Sequence, residues 1–251
     1  MRHVSIVLLL AFLFLGILAM GVLANDPRSV EALITFEGTT VTYVGKITDE
    51  NVQRLFEMVT GRIVTELIIS TSGGEINAGM TMGEWVFDNE IDVVVEGMCL
   101  SSGANYVFTA GRQKIIKENS IVGWHGSALQ QSGLFADDIR EATTTAYGQL
   151  PEEIKAQLDL EVLVNQSIRD HEEYLSRSKV RQAQFFEKIG IDEYVTRIGN
   201  EQYGAKDFFT MSVEDMARFG MRNVIAQGNY GEVDSTTWPR GLSVDFIHIV
   251  H

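Results

Sequence analysis

Two serine-bearing glycine turns and one histidine carry the residue types that acyl transfer requires. Ser72-Gly73-Gly74-Glu75 follows the apolar run Leu67-Ile68-Ile69, and Gly97-Met98-Cys99-Leu100-Ser101-Ser102-Gly103-Ala104 follows Val93-Val94-Val95. His125 stands in Gly123-Trp124-His125-Gly126, at the end of a third apolar run. A serine nucleophile needs a base within hydrogen-bond reach and backbone amides aimed at the developing oxyanion. Glycine lets a backbone approach the substrate where a side chain would intervene. The second turn feeds a stretch of small and apolar residues that reads as a helix, which puts its serines at the positive end of a helix dipole. Each part alone is ordinary: a Ser-Gly-Gly turn, a Ser-Ser helix cap, a structural histidine. In this order, each after a buried strand, they form a more specific signal.

Other reactive side chains compete for attention. Cys99 is the single cysteine, which excludes an intramolecular disulfide; between Met98 and Leu100 it reads as a buried small hydrophobe. Lys114 and Lys117 are nearby in sequence. No metal-ligand or nucleotide-binding motif is present, so no cofactor is expected.

The elements that must position these groups follow from hydrophobic period and turn chemistry. Ala32–Phe36 and Thr40–Val44 read as two short strands joined by Glu37-Gly38-Thr39, and Thr48 as the cap of a helix carrying Val52, Leu55, Phe56 and Val59. A strand is expected over 63–70, a helix over 76–87, a strand over 91–96, a turn over 97–102, a short helix over 103–110, and strands over 113–117 and 120–124. Strand, glycine turn, helix and strand in succession predict right-handed crossover units and a mainly parallel sheet, whose strand ends are where sites form. From about 133 to 200 the chain turns polar and helical, with Pro151 opening a long helix, an apolar stripe Ile154, Leu158 and Val162, and another of Phe185, Phe186 and Ile189. These stripes read as core-facing, and a helical arm used in self-assembly is the functional alternative. Ser212 starts a last short helix, and Asn223-Val224-Ile225-Ala226 leads into a β-rich tail.

At this point the chain resembles the proteolytic subunit of the Clp protease, within the crotonase-like superfamily. The family's Ser-Pro-Gly-Gly turn, followed by Ala-Gly-Met, lies against Thr71-Ser72-Gly73-Gly74 and Ala78-Gly79-Met80. Its nucleophile segment, Gly-Gln-Ala-Ala-Ser-Met-Gly-Ala, lies without a gap against residues 97–104. Its segment before the histidine matches Asn119 to His125, and its acidic member, placed before a phenylalanine and a short helix ending in aromatic-Gly, matches Lys206-Asp207-Phe208 and Phe219-Gly220 with one extra residue between. The likeness spans roughly residues 32–126 and 203–225, with little in the arm or tail.

The resemblance implies a crotonase-like spiral of crossover units with a helical arm. It also implies a Ser101–His125–Asp207 triad, an oxyanion hole made by the amides of Gly73 and Ser102, a peptide or protein substrate, and a homo-oligomer. Ser72 stands where the family carries proline, so the turn loses a fixed φ. A thioester-processing crotonase sharing the oxyanion hole, and a catalytically silent scaffold, are the alternatives.

Residues 1–24 fit a signal peptide or N-terminal membrane anchor. Arg2 precedes an uncharged apolar run from Val4 to Ala24, close to bilayer-spanning length, and Asn25-Asp26-Pro27 follows. The body, 25–251, is then expected outside the cytoplasm, periplasmic or extracellular, without a cytosolic ATPase to deliver substrate. The formal net charge of −14 argues against nucleic acid and against an anionic lipid surface as partners.

Overall fold

The alternation of buried and exposed residues along 33–44 folds into a hairpin, β1 (Leu33–Glu37) and β2 (Thr40–Val44), in a computed structural model that describes residues 31–129, 135–228, 230 and 243–250. The expected signal or anchor segment therefore lies outside the described residues. Helix α1 (Asp49–Val59) starts where Thr48 accepts a hydrogen bond from the Asn51 amide, and it buries Val52, Leu55 and Val59. Then come β3 (Glu66–Thr71), α2 (Ile76–Asp88), β4 (Asp92–Leu100), a π-helical turn (Gly103–Phe108), β5 (Lys114–Ile116) and β6 (Ile121–Gly123). With β8 (Val224–Ala226) these strands form one sheet in the order β1-β2-β3-β4-β5-β8, with β6 also on β4; only the β1–β2 pair is antiparallel. The fold is thus mixed α/β with a mainly parallel sheet.

One difference from the sequence reading matters for the site. The stretch 97–102, expected as a turn, is strand as far as Leu100. The register between β3 and β4 moves from Ile69↔Val95 to Thr71↔Cys99, and Gly97 lies at φ 90° inside that irregularity. Glycine tolerates the positive φ, so the strand bends and continues. Its first half pairs with β5 (Val95↔Ile116) and its second half with β6 (Leu100↔Gly123).

Buried residues from both sides of the sheet make the core, among them Tyr43, Leu67, Ile69, Met80, Met82, Tyr106, Phe108, Trp124, Phe185 and Phe209. Helix α2 approaches the π-helical turn closely because Gly79 and Gly83 face it. A Cβ at Gly79 would meet the Tyr106 ring at 2.9 Å, and one at Gly83 the Tyr106 carbonyl oxygen at 2.4 Å.

The contacts divide the chain into two units, one including 131–177 and one formed by 31–130 with 178–251. In the first, α3 (Phe135–Gly148), α4 (Glu152–Lys155) and the start of α5 (Leu160–Ile189) are tied by an Arg140–Glu161 ion pair and by the Tyr147 hydroxyl, which donates to the Lys155 carbonyl. The long helix expected after Pro151 is in fact this four-residue α4. Asp159 then accepts from the amides of Glu161 and Val162, a cap that restarts the chain as α5. Ile154 and Val162 stay 40% and 49% exposed, so the stripe expected with Leu158 does not form. The second stripe does: Phe185 and Phe186 are buried against Tyr106.

The chain then passes through a 3-10 turn (Glu193–Thr196), α6 (Ile198–Gln202), β7 (Phe208–Met211) and α7 (Val213–Arg218), which Ser212 caps. Strand β9 (Val244–Ile247) pairs in parallel with β7. Among the described residues no helix is long and apolar enough to cross a membrane.

Candidate active site

The parallel pairing of β4 and β6 sets the centre of the site. Leu100 lies opposite Gly123, and the Ser101 amide donates to the Gly123 carbonyl at 3.0 Å, so the chain segments leaving these strands run side by side. Ser101 Oγ and His125 Nε2 are consequently 2.7 Å apart. Ser101 takes φ 54°, a left-handed conformation that costs a non-glycine residue about 1–2 kcal/mol. It stands at a sharp strand-to-helix corner between β4 and the π-helical turn. Ser101 is half-exposed, whereas Ser102 is buried and its hydroxyl has no partner among the described residues.

The other turn lies against this corner. A Cβ on Gly73 would stand 2.5 Å from Ser101 Cβ, 2.7 Å from the Leu100 oxygen and 3.0 Å from the Ser102 nitrogen, so only glycine permits the approach. The turn lacks proline but is held by backbone: the Ile47 amide donates to the Gly73 carbonyl, and the Glu75 amide to the Ile47 carbonyl. The Gly73 amide itself donates to Thr71 Oγ1 at 3.0 Å, so an incoming oxyanion would have to share or displace that hydroxyl.

His125 is held from two sides. On one, Trp124 forms an antiparallel bridge with Phe209, which brings the Phe208 ring to 4.6 Å from the imidazole. On the other, the loop after His125 is stitched down. The Gly126 amide donates to the Thr196 carbonyl, Asn105 Nδ2 to the Gly126 carbonyl, Ser127 Oγ to Glu193, and the Ala128 amide to Gln182. Glu193 also accepts from Gln182 and Arg197, so its charge is compensated.

Burial holds the His125 imidazole below its ordinary pKa, and the nearby charge of Asp207 works in the opposite sense. No hydrogen bond among the described residues joins the Asp207 carboxylate to the imidazole. The Asp207 carbonyl accepts from Asn200 Nδ2, which also donates to the Ala205 carbonyl and so shapes this loop.

The rival nucleophile and bases are placed elsewhere. Cys99 is fully buried, and burial pushes its thiol pKa up, which keeps the thiolate away. Among the described residues no lysine hydrogen-bonds Ser101 Oγ, whose partner is His125. Lys114 sits at the amino-terminal end of β5, where its ammonium donates to the Gly111 carbonyl. Among the described residues no group of three or more His, Cys, Asp or Glu side chains is placed to hold a metal ion.

Sequence reasoning missed the part played by Thr71, Ile47, Asn200 and the Glu193–Gln182 network. Thr71 alone had a local signal, since a threonine two residues before a glycine readily bonds its amide.

No family model matches the chain, and no curated protein matches it. Among solved structures it is similar to ClpP1 from Listeria monocytogenes, at 20% identity over 47% of this chain and 77% of that one, with a TM-score of 0.33. A point mutant of the same protein matches at 20% identity over 48% and 79%, again with a TM-score of 0.33.

Proposed function

We propose that the chain is a serine hydrolase, acting on peptides outside the cytoplasm, with Ser101 as nucleophile, His125 as base and Asp207 as the charge that steadies the imidazolium. The observation that carries this reading is the 2.7 Å contact of Ser101 Oγ with His125 Nε2 at a residue strained to φ 54°. In the first half-reaction Ser101 Oγ bonds to the substrate carbonyl carbon as its proton passes to His125. The amides of Ser102 and Gly73 receive the oxyanion. Collapse of the tetrahedral species expels the amine, which takes the proton from His125, and water repeats the sequence on the acyl-enzyme. The Clp-like motifs around Gly73, Ser101 and His125 point to a peptide as the acyl donor.

The test is covalent labelling of the pure protein with a fluorophosphonate probe. Ser101→Ala should abolish labelling and Ser102→Ala should keep most of it, because a backbone amide survives that change. Labelling lost only in Ser102→Ala would refute the assignment.

A silent scaffold is the second reading. It is favoured by the Gly73 amide being engaged by Thr71 and by Asp207 acting on His125 through charge, with no hydrogen bond between them among the described residues. A folded parent protein that never labels would decide for it. A thioester-processing crotonase has no need of the Ser101–His125 pair.

Export rests on Arg2 and the run Val4–Ala24. A reporter that works only in the cytoplasm, fused after His251, should be inactive; an active fusion would overturn the location.

A further inference from the structure

At the other end of the sheet lies a cavity of about 300 Å³ that the hydrolase reading does not use. Lys114 pairs with Val93 at the start of β4, whereas Ser101 follows its far end, at most about 25 Å along the strand at ~3.3 Å per residue. The cavity walls include Phe87, Ile189 and Ile191, and its cations are Lys114, Arg112 and Arg222; no acidic residue lines it. In a chain with a formal net charge of −14, that is a local reversal of sign.

The cations are not equivalent. Arg112 grips Asp92 through two hydrogen bonds of 2.8 and 2.7 Å and is neutralised. Arg222 is exposed and has no acidic partner among the described residues. Lys114 is only 5% exposed. Its ammonium donates to the carbonyls of Gly111 and Arg222, at 2.7 and 3.3 Å, which leaves one of its three hydrogens without an acceptor among the described residues. An ammonium buried without a carboxylate is costly, and burial lowers its pKa to about 8. Capping two carbonyls accounts for the two hydrogen bonds, but these neutral acceptors leave the positive charge uncompensated beside an open cavity.

We propose that this cavity binds a small amphipathic carboxylate, a short-chain monocarboxylic acid, with its carboxylate on Lys114 and Arg222 and its aliphatic chain against Phe87, Ile189 and Ile191. The volume is sufficient for a ligand of that size. The ligand's carboxylate offsets the positive charge of Lys114 and Arg222, and its apolar part lies against the apolar walls. A phosphate-sized dianion would leave those walls wet, and an amine would meet two uncompensated cations.

The experiment is calorimetric titration of the full chain with sodium hexanoate at neutral pH, with sodium chloride at equal ionic strength and hexylammonium chloride as controls. Saturable one-to-one binding of hexanoate alone is expected. Charge-assisted hydrogen bonds of this kind carry about ten- to a hundredfold in affinity, so Lys114→Met and Arg222→Glu should each weaken binding at least tenfold. Arg222 is exposed, so Arg222→Glu keeps the fold and decides alone if Lys114→Met does not fold. The proposal is overturned by no saturable hexanoate binding, by equal binding of hexylammonium, or by unchanged affinity in Arg222→Glu. None of these outcomes touches the Ser101 reading, since carboxylate binding here needs no residue of that site.

Discussion

Gly73→Ala is the sharpest perturbation of the proposed oxyanion hole, because two separate costs can be worked out for it. The residue has φ 88°, and an alanine held there loses about 1–2 kcal/mol of stability. Its methyl group would also lie 2.5 Å from Ser101 Cβ and 2.7 Å from the Leu100 carbonyl oxygen. Neither neighbour is the free end of a flexible side chain, so the turn or the Ser101 corner must move by roughly an ångström, a displacement that can cost ~10²-fold in rate. Loss of one oxyanion donor costs ~10²–10³-fold. The two effects share one displacement, so kcat/KM and the rate of fluorophosphonate labelling should fall about 10²–10³-fold, with a drop in Tm of several degrees. Gly38→Ala is the control. It has φ 62° and no atom within 4 Å of an added Cβ, so it should lose comparable stability and keep its labelling rate. A folded Gly73→Ala protein that labels as fast as the parent would refute the placement of the oxyanion hole.

Thr71→Val keeps the methyl group against Gly103 but removes the hydroxyl that holds the Gly73 amide. It should cost about 1 kcal/mol in a denaturant melt while raising kcat/KM, because the amide no longer leaves one acceptor for another; a fall in kcat/KM on a folded protein argues that the hydroxyl aligns the turn. The His125 pKa is held below the ordinary 6.5, so the neutral base survives acidification, and kcat/KM should decline only below pH 6.5. Asp207→Asn removes the influence that raises this pKa, so it should move the acid limb lower still, with a loss in kcat short of the ~10⁴-fold seen where the acid is buried and bonded to the imidazole; a limb that moves up contradicts the assignment.

The main sheet was legible because its strands announce themselves twice, by apolar runs and by glycine punctuation. Leu67-Ile68-Ile69 and Val93-Val94-Val95 became neighbours in register, Leu67↔Val93 to Ile69↔Val95. What the pattern concealed was the continuation of β4 beyond Gly97. A glycine in a strand reads as a stop, yet here its positive φ makes a bend that hands the strand from β5 to β6. The stripe Ile154–Leu158–Val162 failed for the opposite reason. Its spacing is helical, but Asp159 offers the backbone a cap, and the local hydrogen bonds to Glu161 and Val162 win over a continued helix.

The same contrast separates the members of the candidate triad. Ser101 and His125 were readable because their separation is a property of the sheet: one residue past Leu100 and two past Gly123 on paired parallel strands, with the Ser101–Gly123 hydrogen bond fixing the offset. Asp207 depends instead on the Trp124–Phe209 bridge, a contact far apart in the chain, and on the nearby Asn200 side chain that gathers the 205–207 loop. Neither contact forms a recognisable sequence motif. A motif match alone suggested the residue, and the geometry gives it a weaker coupling, felt by His125 through charge without a hydrogen bond. Asp207 immediately precedes β7, which is paired with β9, whereas the Ser101 Oγ–His125 Nε2 contact lies at the ends of β4 and β6.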